Sequence, residues 1–162
     1  MKRKMILKPE MLPGSAPIGL QHYPSWLSIV PELENHGNGL MITKTLVQYA
    51  DRYGRVWTIP PGYPTDGMSY PWPISLFWDR FDTRTIRSAI LHDYTYSMHD
   101  YFPGWPISRR TADDNLLDGL KLDCRSRARR CYIATRLFGA PMYHHIAHSE
   151  YMISWLKSAF NQ

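Results

Sequence analysis

The segment PPGYPTDGMSYPWP, residues 60–73, constrains the fold of this chain more than any other stretch. It contains five prolines and two glycines. Proline fixes its own φ and has no backbone N–H to donate, so neither an uninterrupted helix nor a central strand can pass through this segment. We therefore expect a stiff loop with no regular structure, of the kind that holds functional groups in place.

The chain before this loop reads as an irregular arm followed by a hairpin. Residues 1–38 are rich in proline and glycine and show no sustained hydrophobic period. This predicts an irregular N-terminal arm whose anchors on the core are Trp26, Leu27, Ile29 and Val30. The β-branched stretch 40–51 predicts a strand, and residues 55–60 predict its partner in a hairpin.

The chain after the loop reads as helical. Apolar periodicity and capping residues predict helices over 83–99, 109–122, 124–138 and 143–160, the second of them capped by Ser108. The fold class is therefore α+β: a small antiparallel hairpin or sheet followed by a bundle of three to four helices. We expect residues 1–38 to pack as an arm on a single globular domain, residues 39–162.

Composition excludes several classes of protein. The chain has 162 residues, of which 44% are hydrophobic, enough for one packed domain. No apolar run approaches the roughly 18 residues of a membrane span, and Pro9 interrupts the basic N-terminus too early for a signal peptide. Cys124 and Cys131 are seven residues apart and lack a CxxC motif, which indicates reduced core cysteines of a cytosolic protein.

Positive charge is concentrated in the predicted third helix. The formal net charge is +5, and this helix carries Arg125, Arg127, Arg129, Arg130 and Arg136. Such a cluster attracts the phosphate groups of nucleic acid or of anionic lipid, and this defines a candidate basic patch for an anionic ligand. The alternative is an ordinary solvated helix face.

Two His-Asp pairs lie in the predicted first helix. Ile86, Ile90, Tyr94 and Met98 form its apolar stripe at 100° per residue. His92 and Asp93 lie outside that stripe and project in neighbouring directions, beside Tyr96 and the small Ala89. The second pair, His99 and Asp100, lies at the helix end, where a histidine suits the helix dipole.

The predicted second helix places a carboxylate on its apolar face. Leu116, Leu117 and Leu120 define that face, Asp113 projects into its middle, and Asp114 and Asp118 project outward with Lys121. A buried carboxylate costs several kcal/mol unless it is paired. We therefore expect Asp113 to pair with His92 or an arginine. The alternative is a first-turn carboxylate favoured by the helix dipole.

A histidine held by a buried aspartate is the arrangement of a general base. His92 would take a proton from water, and Asp113 would orient its ring. Asp93 could ligate a divalent cation, Ca²⁺ in preference to Zn²⁺, with Asp66 of the stiff loop as a second ligand. A rival metal pair is formed by His144 and His148, four residues apart on the predicted fourth helix.

Four segments resemble a known family. IPPGYPTDGMSYP (59–71), AILHDYTY (89–96), ISRRTADDNLLDGL (107–120) and ATRLFG (134–139) occur in the order and spacing of DUF1353, a family of small phage and prophage proteins of unknown function. The similarity covers about residues 40–140. The matching positions are Thr65, Asp66, Gly67, Ser69, His92, Asp93, Tyr96 and Asp113. The resemblance implies a protein of the host cytoplasm or of the virion.

A looser similarity is to the active site of phospholipase A2. There an HDxxY helix supplies the base and a calcium ligand, and a carboxylate from a neighbouring helix orients the histidine. His92, Asp93, Tyr96 and Asp113 match those positions. The Gly-rich calcium loop and the disulfides of that family are absent from this sequence, so the similarity is one of motif alone.

Three functions follow from these observations. The first is a hydrolase of a cell-envelope ester or amide, in a phospholipid or in peptidoglycan, with His92, Asp113 and Tyr96 as catalytic residues. Thr65, Gly67 and Ser69 would position its loop. The second is a non-enzymatic phage accessory protein, a virion component or a binder of a host or defence factor, whose His/Asp cluster is structural. The third is a nucleic-acid or nucleotide binder that uses the Arg-rich helix.

Overall fold

A computed structural model of the chain describes residues 14–15, 23–68, 78–101 and 107–144. Its strands are β1 (Gly14–Ser15), β2 (Ser25–Trp26), β3 (Leu33–Gly37), β4 (Leu40–Thr43), β5 (Val47–Ala50), β6 (Arg55–Ile59) and β7 (Pro64–Thr65). Its helices are α1 (Ile86–Tyr101), α2 (Arg109–Asp123), α3 (Arg125–Phe138) and α4 (Ala140–His144). The α+β class is confirmed, with strands preceding helices.

The predicted hairpin forms from β5 and β6. These antiparallel strands lie at the centre of a sheet with the order β1-β6-β5-β2. The buried Asp51 shapes the turn between them: its Oδ1 accepts from the backbone N–H groups of Tyr53 and Arg55, and its Oδ2 accepts from Trp57 Nε1 at 3.0 Å. This carboxylate satisfies the turn's donors and fixes the register.

The predicted strand over 40–51 is divided in two by the structure. Its first part, β4, pairs with β3 and β7 in a second antiparallel sheet, and its second part, β5, belongs to the first sheet. The loop is also less irregular than expected, because Pro64 and Thr65 form the short strand β7 at the edge of the second sheet. Edge positions tolerate proline because no ladder bond to its nitrogen is needed.

The N-terminal arm contains strands that its composition did not predict. β1, β2 and β3 all fall within residues 1–38, and each pairs with a strand of the domain. Of the four predicted anchors, Trp26 packs on the core, whereas Leu27, Ile29 and Val30 are exposed. Proline and glycine limited these strands to a few residues without preventing pairing.

Helix α1 forms the centre of the molecule. Its stripe of Ile86, Ile90, Tyr94 and Met98 is fully buried, as predicted, and packs with Trp57 and its neighbours from the hairpin. α1 contacts α2, α4 and the strands β5, β6 and β7. The residues on its remaining faces therefore meet either α2 or the loop before it.

Helix α2 is capped by Ser108, as predicted, and packs closely on α1. A Cβ at Gly119 would lie 2.7 Å from Ser88 Oγ and 2.9 Å from Trp26 Cζ2. The buried face is wider than predicted and includes Asp118, which is 6% exposed and accepts from Arg52 Nε at 2.7 Å. The expectation that Asp118 projects outward was wrong, because the hairpin turn covers that side of α2.

The elements after α2 follow the sequence-based predictions over the residues that the structure describes. Cys124 and Cys131 are buried and are not joined to each other by a disulfide, as predicted. The predicted fourth helix appears as α4 up to His144, and residues 145–160 lie outside the described residues. None of the helices described by the structure is long and apolar enough to cross a membrane.

Candidate functional site

The structure places His92 against Asp113, as the sequence predicted. His92 Nε2 lies 3.0 Å from Asp113 Oδ1, across the α1–α2 interface. Asp113 is fully buried, whereas the side chain of His92 retains 14% of its exposure. Among the described residues no group hydrogen-bonds to Nδ1 of His92.

Two arginines also reach the Asp113 carboxylate. Arg136 of α3 donates to Oδ2 at 2.6 Å, and Arg109, one turn before Asp113 on α2, places its Nε 3.8 Å from the same oxygen. Tyr96 donates its hydroxyl to Oδ1, the oxygen that faces His92. Asp113 therefore joins α1, α2 and α3 in one hydrogen-bonded cluster.

The ionisation of Asp113 fixes the direction of these hydrogen bonds. Burial alone would raise its pKa, but hydrogen bonds from His92 and Tyr96, with the Arg136 guanidinium, hold the pKa below its usual value. An ionised carboxylate can only accept. His92 must therefore carry a proton on Nε2, and when the ring is neutral the lone pair lies on Nδ1.

Tyr96 acts on Asp113 and has little access to solvent. Its side chain is 3% exposed, and its ring lies 4.0 Å from the His92 ring, centroid to centroid. Burial and the neighbouring Asp113 charge raise the pKa of Tyr96, so its hydroxyl stays protonated and donates. This geometry favours a positioning role for Tyr96 over direct contact with a substrate.

Asp93 follows His92 on α1 and joins the stiff loop to the helix. Its Oδ2 accepts from Thr65 Oγ1 at 2.9 Å, and the same Thr65 oxygen accepts from the Gly67 backbone N–H at 3.0 Å. Burial, followed by the charge of Asp66, raises the pKa of Asp93 well above its usual value. The position of Asp93 thus disfavours its charged form.

Gly67 is required by the loop's geometry. Its φ is +76°, and a Cβ there would lie 2.4 Å from the Arg80 carbonyl oxygen, which accepts from Met68 N–H at 2.8 Å. Only glycine fits such a conformation at so close an approach. The predicted positioning residues Thr65 and Gly67 therefore hold the loop, while Ser69 lies outside the described residues.

The predicted metal ligands are near each other but are only two. Asp66 is 44% exposed and forms an ion pair with Arg80 at 3.0 Å, and its charge acts on Asp93. In the part of the chain that the structure describes, no group of three or more His, Cys, Asp or Glu side chains could hold a metal ion. A Ca²⁺ ion at this point would need further oxygens from water or backbone. The divalent cation stays a prediction.

The second predicted His-Asp pair lies at the end of α1. His99 lies in the last turn of α1, as expected, and its ring stacks on Tyr143 with centroids 4.0 Å apart. His148 lies outside the described residues, so the pairing of His144 and His148 as metal ligands stays a prediction.

The predicted basic patch is split by the structure. Arg125, Arg129 and Arg130 are exposed. Arg127 instead turns inward, donating to Asp82 at 2.9 Å and lying over the Trp78 ring, so it does not belong to the patch. The sequence could not separate these arginines, since the partner that draws Arg127 inward comes from the segment before α1.

Arg109 and Arg136 are site residues that the sequence did not identify as such. Arg109 stands four residues before Asp113, the helical spacing of an ion pair, and that signal was available. Arg136 comes from a different helix, and its approach to Asp113 depends on how α3 folds back on α2.

Comparison with known proteins gives one match. A family model described as "Protein of unknown function (DUF1353)" covers residues 42–134, more than half of the chain. This span includes the second half of β4, the strands β5 to β7, the loop, α1, α2 and most of α3. No curated protein and no solved structure matches the chain.

Proposed function

The chain belongs to the DUF1353 family, whose description assigns no activity, and we propose that it is a hydrolase in which His92 acts as general base. Asp113 holds the proton of Nε2, and Nδ1 is the atom that accepts a proton. The substrate class is a cell-envelope ester or amide, in a phospholipid or in peptidoglycan. The phage association implied by the sequence motifs belongs to this proposal.

The observation that carries the proposal is the asymmetry of the two ring nitrogens of His92. Nε2 is bonded to a buried carboxylate, whereas Nδ1 has no partner among the described residues and the side chain keeps some exposure. A histidine with a structural role alone is expected to bond through both nitrogens. One anchored and one free nitrogen is the arrangement that base catalysis needs.

In the proposed reaction water is the nucleophile. Nδ1 of His92 takes a proton from water as the oxygen attacks the carbonyl carbon, and the charge that develops on the imidazolium is stabilised by Asp113. When the tetrahedral intermediate collapses, the bond to the leaving alkoxide or amine breaks, and the leaving group takes the proton from Nδ1. The products are a carboxylic acid and an alcohol or amine.

Asp93 and Asp66 define where a cation would act in this scheme. Burial, followed by the charge of Asp66, raises the pKa of Asp93, and a divalent ion between the two carboxylates would offset the part due to Asp66. Arg80 already compensates part of this charge through Asp66. A thermal-shift titration with Ca²⁺ and with Zn²⁺ tests for this cation. We expect the ion to stabilise the native protein and to leave the Asp93→Asn variant unchanged.

The experiment that tests the proposal is product analysis in ¹⁸O-labelled water. The native protein is incubated with phospholipid vesicles and, separately, with purified peptidoglycan, and the released acids are analysed by mass spectrometry. We expect ¹⁸O in a product carboxyl group with one substrate. A His92→Gln variant is expected to lower the rate by a factor of about 10² or more.

A matched control is His36→Gln, which changes an exposed histidine on β3, far from α1 in sequence. It is expected to retain the native rate. If the native protein incorporates no label with either substrate, or if His92→Gln is as active as the native chain, the hydrolase proposal fails.

One observation favours a second candidate function. Asp113 is fully paired by four side chains from three helices, as in a network that specifies a unique core. A non-enzymatic accessory protein, in which this cluster is structural, is the function that remains if no hydrolysis is detected and His92→Gln alters only stability.

A further inference from the structure

The outer face of α3 carries arginines and large apolar side chains together. We name Arg125, Arg129, Arg130, Ile133 and Leu137 the basic-apolar face. At 100° per residue these five positions fall within an arc of about 140°. The α3 sequence RSRARRCYIATRLF contains no acidic residue, so nothing on the helix itself offsets the positive charge.

The apolar members of this face are exposed to an unusual degree. Ile133 is 47% and Leu137 is 67% exposed, and Phe138 at the end of the helix is 62% exposed. Single exposed apolar side chains are common on protein surfaces. Two on the same face of one helix, beside arginines and next to Phe138 at the helix end, indicate a surface that contacts something apolar and anionic.

The arginines of the face are uncompensated. In the described parts of the chain no carboxylate forms an ion pair with Arg125, Arg129 or Arg130, whereas Arg127 and Arg136 of the same helix are both paired inward. Three free cations within two turns of helix create a positive potential at the surface.

A groove beside this face extends it towards α2. It has a volume of about 740 Å³ and is lined by Leu117 and Lys121 of α2 and by Ala128 and Tyr132 of α3, together with members of the face. Its lining combines cations and apolar side chains and contains no acidic residue. It gives room for an anionic head group beside the helix.

We propose that the basic-apolar face docks on an anionic lipid surface. The arginines contact lipid phosphates, while Ile133 and Leu137 enter the boundary between head groups and acyl chains. Nucleic acid would pair the arginines but leave these aliphatic side chains in water. A stable protein partner needs about 20–30 residues a side, more than this face offers. Docking on lipid requires none of the residues of the hydrolytic site.

The test is cosedimentation of the full chain with two kinds of vesicle. One is pure phosphatidylcholine, and the other is three parts phosphatidylcholine to one part phosphatidylglycerol. We expect binding to the mixed vesicles that weakens with added salt. Arg130→Gln should weaken this binding roughly fivefold, and Leu137→Ser roughly tenfold.

The matched control is Arg110→Gln, which removes the same charge from an exposed position on α2 outside the face. It is expected to leave binding within about twofold. Lipid docking is refuted if the mixed vesicles do not bind the protein, if pure phosphatidylcholine binds equally well, or if Arg110→Gln is as harmful as Arg130→Gln. Salt-sensitive binding to duplex DNA without vesicle binding would assign the face to nucleic acid instead.

Discussion

Asp113 accepts hydrogen bonds at both carboxylate oxygens from groups on α1 and α3 and faces Arg109 of its own helix, and these surroundings explain why a carboxylate is retained in the core. His92 and Tyr96 share one oxygen, while Arg136 and Arg109 face the other. Removing one member of such a cluster leaves the others buried without their partner, which costs far more than the cluster contributes in net stability.

The Asp113→Asn variant is therefore expected to be less stable by about 3 kcal/mol, the lower end of the range for a broken buried pair because Arg136 is 35% exposed. The folded-state pKa of Asp113 lies below its unfolded value. Its stabilisation is thus complete above about pH 5 and is lost as pH falls below about 4. Urea unfolding of the native protein and of Asp113→Asn across this pH range measures the difference in stability between them. A difference that does not shrink in acid would contradict the prediction.

Asp93 is expected to behave in the opposite way. Burial and Asp66 raise its folded-state pKa above the unfolded value, so the folded protein loses stability as pH rises from about 4 towards that pKa. Asp93→Asn keeps an acceptor for Thr65 without the charge. Thermal unfolding in the presence of a chelator should show the variant more stable at neutral pH and equal to the native protein in acid. A variant less stable at neutral pH would refute this.

Helical projection from the sequence identified Asp113 as buried and in need of a partner, and named His92 or an arginine for that role, but it did not name Tyr96. It could not identify Arg136 or exclude Arg127 from the basic patch, because both depend on contacts between segments distant in sequence. The same limit explains Asp118, whose partner Arg52 lies in the hairpin turn.

The contact between α1 and α2 holds His92 opposite Asp113, and it depends on Gly119. The helices approach so closely there that a Cβ would overlap Ser88 and Trp26. Alanine normally stabilises a helix by about 1 kcal/mol relative to glycine. Here overpacking, which costs about 1–3 kcal/mol, is expected to exceed that gain.

Gly119→Ala should consequently lower the free energy of unfolding by up to about 2 kcal/mol in a denaturant titration. Leu122→Ala, at an exposed position of the same helix, is the control and should change stability by no more than about 0.5 kcal/mol. An alanine at position 119 that stabilises the protein would show that the helices do not pack this closely.

The elements themselves were predictable to different degrees. Helices α1, α2 and α3 follow their apolar periods and caps to within three residues at each end. The stretch 40–51 was read as one strand because β-branched residues run through it, but pairing with two different sheets divides it. Short strands such as β1 to β3 are stabilised by their partners, and composition gives little sign of them.

Across the molecule, two regions with different chemistry stand out. One is the His92–Asp113 cluster at the α1–α2 contact, and the other is the basic-apolar face of α3. Arg136 lies on α3 and donates to Asp113, so the helix that carries the basic-apolar face also contacts the His92–Asp113 cluster. A hydrolase of envelope lipids would use both, whereas an accessory protein could use the second alone.

The measurement that tests the proposed base most directly is a ¹H–¹⁵N correlation spectrum of the His92 ring, which shows which nitrogen carries the proton. The spectrum is recorded at about pH 8, above the usual titration range of histidine. We expect the proton on Nε2 and an unprotonated Nδ1, because the ionised Asp113 can only accept. In Asp113→Asn this preference for one tautomer should weaken. A proton on Nδ1 in the native protein would show that the ring is held the other way round and that His92 is not the base.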